Sequence, residues 1–507
     1  MAKQASALPK ESVAGRKETD LQRFVHTPER AELVKQVREK IKELGIQYIY
    51  FQFISVTGRI MGKGAPADHW EAFAERGFQL VYGATANLFI DRSRHYIAYG
   101  PEAWELVGIP EPETFLQLPW DKRVARVFCT LFRSREDPDN PGAFLTSDCR
   151  GNLRRIHEQF QKDHDGLHMR AGTEPEMMWL KRGEDGMPAG GYSKAYCYHI
   201  DQFESLRPVY LQVIDYARAM GLDIIQGDHE DAPGQLELNF MFDEVLRNAD
   251  RLTTYRQICA QVARENNLIA CFMSKPFLGV SASACHTNIS LWRGGEDAVK
   301  KLGNGALAGM DEPFKLRTRG DNTFLPEGED PRLPGKIGLY AMGGLLEHQT
   351  GLTVLGCSTV NSYRRLLDFG FWAPLYANWG YQNRTAGVRN SAPGRFEYKA
   401  VDSAHNPYLL AAGLLKAIDD GIKRKLDPGP AEQRNIYDVM DEVKKRYKKL
   451  PMSLGEALDA FDADEVAKSA LPGEMYKVFM DYKRDEWDKF LATPTEWDLK
   501  TYLDCLP

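Results

Sequence analysis

At 507 residues, the chain is about three times as long as one hydrophobic core requires, so one large or two unequal domains are expected. Hydrophobic residues make up 43% and charged residues 27%, which indicates a folded globular protein rather than a disordered one. The net charge of -6 gives no basic excess for binding nucleic acid. The apolar runs are too short to span a membrane and no signal core is present, so we expect a cytoplasmic protein.

Eight cysteines are scattered along the chain without a C-x-x-C pair, at positions 129, 149, 197, 259, 271, 285, 357 and 505. This spacing argues against both a zinc cage and a disulfide framework. We expect reduced, mostly buried thiols.

The first part of the chain is predicted to contain a tail and a small α+β domain. Residues 1–25 are polar and lack periodicity, so we expect a flexible tail. Thr27, Pro28 and Gly45 are typical of the N-cap, first turn and end of an amphipathic helix. β-Branched and aromatic residues predict strands at 48–53, 59–61 and 124–132. The domain is predicted to span 26–135, followed by a Pro/Asp-rich linker at 136–142.

Residues 143–507 are predicted to form a larger α+β catalytic domain. Helical patterns cover 150–164, 205–220, 409–424 and 436–448, and strand patterns cover 221–225 and 285–291. No repeat of fixed period is present, which disfavours a solenoid.

Acidic residues recur at positions where they could hold cations. Glu174 and Glu176 are two residues apart, so in a strand both carboxylates point to the same face. Glu230 and Glu237 flank a Pro-Gly turn that can bring them together, and His286 lies in an alternating run. Each feature alone is usually structural, for example a solvated acidic face.

Taken in chain order, these and other motifs resemble those of the glutamine synthetase family, from about Gln47 to Asp498. Chance agreement across so many ordered motifs is negligible. The matching segments are Thr57-Gly58-Arg59, Phe115 to Trp120, Gly172 to Glu176, Gly234-Gln235-x-Glu237, Lys275-Pro276-Phe277 with His286, Asn361 to Arg365, Asn383-Arg384 with Arg389, Arg395-x-Glu397 and Asn406-Pro407-Tyr408.

The resemblance implies an α+β fold with a small N-terminal β-grasp domain and a large catalytic domain built on a curved antiparallel sheet. It also implies a homo-oligomer of stacked rings, expected to be a dodecamer, with active sites between neighbouring subunits. By the family pattern, one divalent metal is held by Glu176, Glu230 and Glu237, and the nucleotide-side metal by Glu174, His286 and Glu397. Oxygen ligands with one imidazole suit Mg²⁺ or Mn²⁺, at about two to three ions per site.

The same resemblance implies an ATP-dependent ligase acting on glutamate. Arg384, Arg389 and Arg395 match the family arginines at the transferred phosphoryl group, whose oxygens suit planar cations. ATP would phosphorylate the side-chain carboxylate of glutamate, and an amine would then displace phosphate. Arg365 and Lys399 stand at glutamate-binding positions, although Lys399 replaces a usual arginine and loses its bidentate fork.

Other contacts of the family pattern are changed here. The Asn-Gly pair that helps to hold glutamate reads Ser281-Ala282. The second histidine of a His-x-His pattern reads Asn288. We therefore expect ATP to be kept, with Asn288 and Ser290 as altered nucleotide contacts.

Two further changes concern the amine. In the family, an Asp in the first-domain loop and a Glu in the flap bind and deprotonate ammonium. Here the loop 81–85 carries Tyr82, which would have to reach the site from the adjacent subunit, and the flap 370–374 carries Phe371 and Trp372; neither stretch holds an acid. A cationic amine needs a carboxylate, whereas a neutral arylamine gains from ring stacking. These residues predict a ligase for a bulky, aniline-like amine, as in the γ-glutamylanilide synthases of aromatic-amine degradation.

Alternatives stay open at this point. Asp368 could replace the missing base and serve an alkylamine, a polyamine or, as in ordinary glutamine synthetase, ammonium. The aromatic residues could instead pack a subunit interface. A non-catalytic, ring-forming homologue is disfavoured because no metal ligand is missing. Asn435 to Asp438 resembles a loop that some relatives adenylylate, but we interpret Tyr437 as an ordinary surface tyrosine.

Overall fold

The computed structural model describes residues 18–87, 90–97, 99–296, 315–368 and 370–504. A smaller sheet is formed by β1 (Tyr48–Ile54), β2 (Ile60–Pro66), β3 (Phe78–Leu80), β4 (Leu106–Pro110), β5 (Leu116–Leu118) and β6 (Asp121–Arg133). Its order is β2-β1-β6-β4-β3, with β5 beside β6. Strands β1 and β6 are parallel and the other pairs are antiparallel. The strands predicted in this region are confirmed.

Three helices accompany this sheet: α1 (Asp20–Val25), α2 (Pro28–Leu44) and α3 (Trp70–Arg76). Helix α2 confirms the prediction, because the Thr27 side chain accepts a hydrogen bond from Arg30 N and Gly45 ends the helix at φ 65°. The predicted tail is wrong for its last residues, since α1 has a capping box and buries Leu21 against the sheet. Residues 1–17 lie outside the described residues.

The larger sheet is eleven-stranded and carries the central order β15-β16-β17-β13-β7-β10-β9. Its strands are β7 (His168–Arg182), β8 (Pro188–Gly191), β9 (Ile224–His229), β10 (Gln235–Phe240), β11 (Asp243–Glu244), β12 (Leu268–Cys271), β13 (Cys285–Arg293), β14 (Asp321–Asn322), β15 (Trp379–Tyr381), β16 (Val388–Ala392) and β17 (Arg395–Tyr398). All pairs except β15 with β16 are antiparallel, and the sheet is curled. The expected α+β fold is confirmed.

Helices pack around the larger sheet and extend beyond it. They are α4 (Cys149–Asp163), α5 (Ile200–Ser205), α6 (Arg207–Ala219), α7 (Val245–Glu265), α8 (Lys336–Gly356), α9 (Ser362–Leu367), α10 (Pro407–Arg424), α11 (Met440–Val443), α12 (Leu454–Ala463), α13 (Glu465–Lys468), α14 (Glu474–Leu491) and α15 (Glu496–Tyr502). Helices α8 and α10 touch through glycine: a Cβ at Gly344 would lie 2.1 Å from the Ala417 carbonyl oxygen. None of the helices in the described ranges has both the length and the apolarity of a membrane span.

Two element predictions are wrong. The segment 436–448 is not one helix but a 3-10 turn at Ile436–Asp438 followed by the short α11. Its apolar residues Ile436 and Val443 pack against Leu375 and Tyr376, and this distant contact overrides the local helical pattern. Residues 221–223 turn at Gly221, φ 80°, so the strand begins only at Ile224.

The cysteines agree with the expectation where they are described. Six are buried, Cys197 is exposed and none of these seven is in a disulfide. Cys505 lies outside the described residues.

Candidate active site

Strand β7 is the centre of the candidate site. Glu174 and Glu176 share one face of it, as expected from the period of a strand. On one side His286 of β13 is directly opposite Glu174, and on the other side Glu237 of β10 is directly opposite Glu176. Antiparallel pairing therefore assembles residues that are far apart in sequence.

Glu174, His286 and Glu397 form a compact set of ligand atoms, all within 4.8 Å of one another. His286 Nδ1 lies 3.6 Å from Glu174 and 3.4 Å from Glu397. Two carboxylates and an imidazole at this spacing form a donor set that fits a divalent cation such as Mg²⁺ or Mn²⁺.

Polar neighbours hold these three residues in place. Asn288 donates its side-chain amide to Glu174 at 2.8 Å, and Arg389 donates to Glu397 at 2.7 Å. Burial alone would raise the pKa of Glu397, but Lys399, His286 and Arg389 outweigh it and lower the pKa to about 2. Glu397 is therefore a carboxylate throughout the physiological range.

Glu176, Glu230 and Glu237 lie at the other end of the site. Burial, together with the charges of Glu176 and Asp228, raises the pKa of Glu230 to about 9. Burial and the neighbouring acids also raise the pKa of Glu237 well above its usual value. Such mutual repulsion fits a place for a cation. Among the described residues, this group is less tightly gathered than the set around His286.

One cavity of about 730 Å³ joins both acidic groups to the arginines. Of the residues predicted from sequence, it is lined by Glu174, Glu176, Glu230, Glu237, His286, Arg365, Arg384, Arg389, Arg395, Lys399, Ser281, Ala282, Phe371 and Trp372. Arg389 also has a buried Nε without a partner in the described part of the chain. We call this space the active-site cavity. Its arginines offer donors to an anionic group beside the acids.

Two cations meet near His286. The Arg365 guanidinium donates to the Lys399 carbonyl and lies 3.4 Å from His286 Nε2, and Lys399 Nζ lies at the same distance from this nitrogen. Burial lowers the pKa of Lys399, partly offset by Glu397. Adjacent cations at a cavity wall suit a substrate carboxylate.

The flap side of the cavity is aromatic. Phe371 and Trp372 line it, and Trp372 is 58% exposed. Asp368 does not line the cavity: its carboxylate lies 2.7 Å from Lys275 Nζ, and this hydrogen bond lowers the pKa of Asp368. Because Asp368 is engaged by Lys275, it is poorly suited to act as a base.

Three sequence-based assignments are affected by contacts within the chain. Tyr82 is 3% exposed and its hydroxyl contacts Ser147 and Glu474 of its own chain, so little of the ring is left to wall a neighbour's pocket. Asn288 donates to Glu174, and Ser290 accepts from Trp292; neither lines the cavity, and their assignment as nucleotide contacts stays a prediction. Tyr437 is only partly exposed, because it is half-buried and donates to the Ala373 carbonyl at 2.7 Å.

Several site residues were missed. Gln235 and Asn239 support Glu176 and Glu237 with hydrogen bonds of 3.2 and 2.7 Å. A sequence pattern marks both residues, since polar residues at 235, 237 and 239 alternate with apolar ones along β10. Tyr198 and Asp231 also line the cavity, but no local pattern marks them.

The sequence and the fold of this chain are similar to those of known proteins. The model of the glutamine synthetase catalytic domain matches residues 146–308 and 308–502. Glutamine synthetase of Pyrococcus furiosus is 32% identical, covering 90% of this chain and 96% of that protein. The enzyme of Methanocaldococcus jannaschii is 30% identical, with coverage of 93% and 98%. A solved ADP complex of GmaS, a γ-glutamylmethylamide synthetase, has a TM-score of 0.78 at 29% identity and covers 92% of this chain and 99% of that one.

The fold and the site together define the class of this protein, an ATP-dependent ligase that forms amides. The chain belongs to the glutamine synthetase family, and its activity is that of a glutamate–amine or glutamate–ammonia ligase. This family generally uses ATP with Mg²⁺ or Mn²⁺, acts on small molecules and is typically oligomeric.

Proposed function

We propose that this ligase joins the γ-carboxylate of glutamate to a bulky aromatic amine such as aniline. The observation that carries the proposal is the flap: Phe371 and Trp372 line the active-site cavity, while the nearby Asp368 is bound to Lys275. An ammonium ion needs a carboxylate to bind and deprotonate it, whereas a neutral arylamine gains from apolar rings. Tyr198 adds a third aromatic side chain to the cavity lining.

In this proposal each group of site residues has a separate role in the reaction. Bound Mg²⁺ or Mn²⁺, held by the two acidic groups, would offset the charge of the ATP phosphates. Arg384, Arg389 and Arg395 would stabilise the transferred phosphoryl group, and Arg365 with Lys399 would bind the α-carboxylate of glutamate. Attack by the amine on γ-glutamyl phosphate forms the C–N bond and releases phosphate. Stacked rings with sites between subunits remain part of the proposal and are testable by sedimentation.

The test is phosphate release with ATP, Mg²⁺ and L-glutamate across ammonium, methylamine, isopropylamine, ethanolamine and aniline, with product mass as confirmation. We expect the highest kcat/KM with aniline. Between pH 7 and 9 the rate with aniline should stay flat, whereas an alkylamine should react up to about tenfold faster per pH unit as it loses its proton. Strong turnover with ammonium and none with aniline would overturn the proposal.

An alkylamine ligase is the second candidate, favoured by Asp231 in the cavity lining and by the similarity to a γ-glutamylmethylamide synthetase. Asp231 accepts a hydrogen bond from the Ser281 hydroxyl at 2.7 Å and could deprotonate a cationic amine. Asp231→Asn should then abolish alkylamine turnover, while Ser281→Ala, which removes the same hydrogen bond but keeps the charge, should not. If aniline is the substrate, Asp231→Asn should have little effect.

A further inference from the structure

The two oxygens of each candidate ligand carboxylate differ in their surroundings. Glu174 Oε1 accepts a hydrogen bond from Asn288 Nδ2 at 2.8 Å, whereas Glu174 Oε2 lies 3.6 Å from His286 Nδ1. Glu176 Oε2 accepts from Gln235 Nε2 at 3.2 Å and from a backbone N–H at 2.9 Å, whereas Glu176 Oε1 lies 4.0 Å from the same imidazole nitrogen. Each of these carboxylates therefore has one oxygen held by the protein and one that faces the candidate metal site.

Two more of the acids are held in the same way. Glu397 Oε2 accepts from Arg389 at 2.7 Å, whereas Glu397 Oε1 lies 3.4 Å from the imidazole nitrogen. Lys399 Nζ lies 3.5 Å from Glu397 Oε1, at the limit of hydrogen-bond distance, so this oxygen has only a weak protein contact. Glu237 Oε1 accepts from Asn239 at 2.7 Å. Four of the five candidate ligand carboxylates thus have a side-chain donor on one oxygen.

The three amide donors of this set are buried. The exposed fractions of Gln235, Asn239 and Asn288 are 0, 6 and 9%. Among the described residues, the amide nitrogens of Asn239 and Asn288 have no second acceptor. Turning the held oxygen away would leave a buried donor unpaired, which is unfavourable, so the hydrogen bond keeps that oxygen in place.

The number of oxygens that each carboxylate offers affects which cation fits. Ca²⁺ takes about six to eight oxygen ligands at about 2.3–2.6 Å and commonly uses both oxygens of a carboxylate. Mg²⁺ takes six ligands in nearly octahedral geometry at about 2.0–2.1 Å and keeps several waters, and Mn²⁺ also favours six oxygens. Carboxylates that offer one oxygen each therefore suit Mg²⁺ and Mn²⁺, whereas Ca²⁺ lacks the further oxygens it needs.

We propose that the amides of Gln235, Asn239 and Asn288 determine the metal specificity of this enzyme. Because each amide holds one oxygen of the carboxylate that it contacts, the site selects Mg²⁺ and Mn²⁺ over Ca²⁺. The three amides are positioning residues, since they act through the carboxylates. The inference rests on the metal-binding role of these acids in the proposed function and is independent of which amine the enzyme uses.

The test is displacement of Mn²⁺ from the full chain by Mg²⁺ or Ca²⁺, followed by electron paramagnetic resonance without nucleotide, glutamate or amine. We expect Mg²⁺ to displace Mn²⁺ at concentrations at least about tenfold lower than Ca²⁺ does. Asn288→Leu and Asn239→Leu should each reduce this preference at least about fivefold, because Ca²⁺ gains the freed oxygen and Mg²⁺ loses an oriented ligand. The control is Asn322→Leu in β14, whose amide donates to the Gly394 carbonyl, and it should keep the preference.

Infrared difference spectra of the unaltered chain give a second readout that needs no variant. The splitting between the two carboxylate stretching bands is smaller when both oxygens bind the ion than when one does, and Mg²⁺ should give the larger splitting. The smaller splitting with Mg²⁺, or an unchanged preference in both asparagine variants, would overturn the inference while leaving the proposed function intact. Failure of the unaltered chain to bind Mn²⁺ would overturn the metal site on which both depend.

Discussion

A double-mutant cycle on Lys275 and Asp368 distinguishes a clamp that holds the flap from a catalytic base. The Lys275 side chain is 1% exposed and that of Asp368 is 26% exposed. The Lys275 ammonium also lies 4.4 Å from the centre of the Phe371 ring, and Asp368 accepts a hydrogen bond from Gly279 N at 3.1 Å. The pair therefore ties the flap to the loop that leads to Ser281.

The expected magnitude follows from this burial. Removing one partner of a fully buried ion pair costs about 3–5 kcal/mol of stability. Solvent at Asp368 screens part of this interaction, so we expect Asp368→Asn to destabilise the held position of the flap by about 2 kcal/mol. This free energy corresponds to a decrease of about 30-fold in the equilibrium between the flap held by the ion pair and the released flap. Lys275→Met should cost a similar amount. The double variant should lose no more than either single variant, because both remove the same interaction.

The assay is kcat/KM for the amine, with hydrogen exchange of the flap as a second readout. A clamp predicts about 30-fold losses in both single variants, faster exchange and no change in the pH profile. Asp330→Asn, which breaks the exposed pair with Arg332, is the control and should have no effect. Additive losses of kcat/KM in the double variant would refute the clamp. A loss confined to Asp368→Asn and to cationic amines would also refute it and would indicate that Asp368 acts as a base.

Three further predictions follow from other residues. Trp372→Ala should lower kcat/KM for aniline about 2- to 12-fold, from a stacking contribution of about 0.5–1.5 kcal/mol, and leave ammonium turnover unchanged; equal losses for both amines would contradict an aromatic wall. Glu397→Gln keeps the shape of a ligand but not its charge, so Mn²⁺ affinity, measured by electron paramagnetic resonance, should fall at least about 100-fold, and unchanged affinity would remove Glu397 from the metal site. His348 lies between Asp420 and Asp464, both at 2.9 Å; burial lowers its pKa, but the hydrogen bonds to these acids outweigh burial and raise the pKa. Protonated His348 therefore stabilises the folded state fully below its unfolded pKa of about 6.5, and this stabilisation is lost as the pH rises through the folded pKa. The Tm difference between the unaltered chain and His348→Gln should be larger at pH 6 than at pH 9. A Tm difference that does not change with pH would contradict this ion pair.

The strand period and the order of motifs predicted most of the residues that the structure brings together around the active-site cavity. Glu174 and Glu176 followed from their spacing, and Glu230, Glu237, His286 and Glu397 from the resemblance. The pairing that brings them together is non-local, so it could not be derived from local pattern: Glu176 meets Glu237 only because β10 runs antiparallel to β7.

The incorrect predictions concern residues whose environment is set by contacts with distant parts of the sequence. Tyr82 looked available for a neighbouring pocket, but its hydroxyl is bound by Glu474, 392 positions along the chain. The segment 436–448 had helical residues, yet packing of Ile436 against Leu375 and Tyr376 breaks it. Asp368 looked like a free acid because nothing nearby in sequence predicts the buried Lys275 beside it.

The two sides of the candidate active site are formed by different kinds of backbone. Glu174 and Glu176 belong to a strand paired on both sides, where a slip by one residue would turn both away from their partners. Phe371 and Trp372 follow α9 in irregular chain outside any strand. If the flap selects the amine as proposed, exchange of a few flap residues would change the nucleophile while the strand that holds Glu174 and Glu176 stays assembled, which would make this chain a scaffold for engineering new amide products.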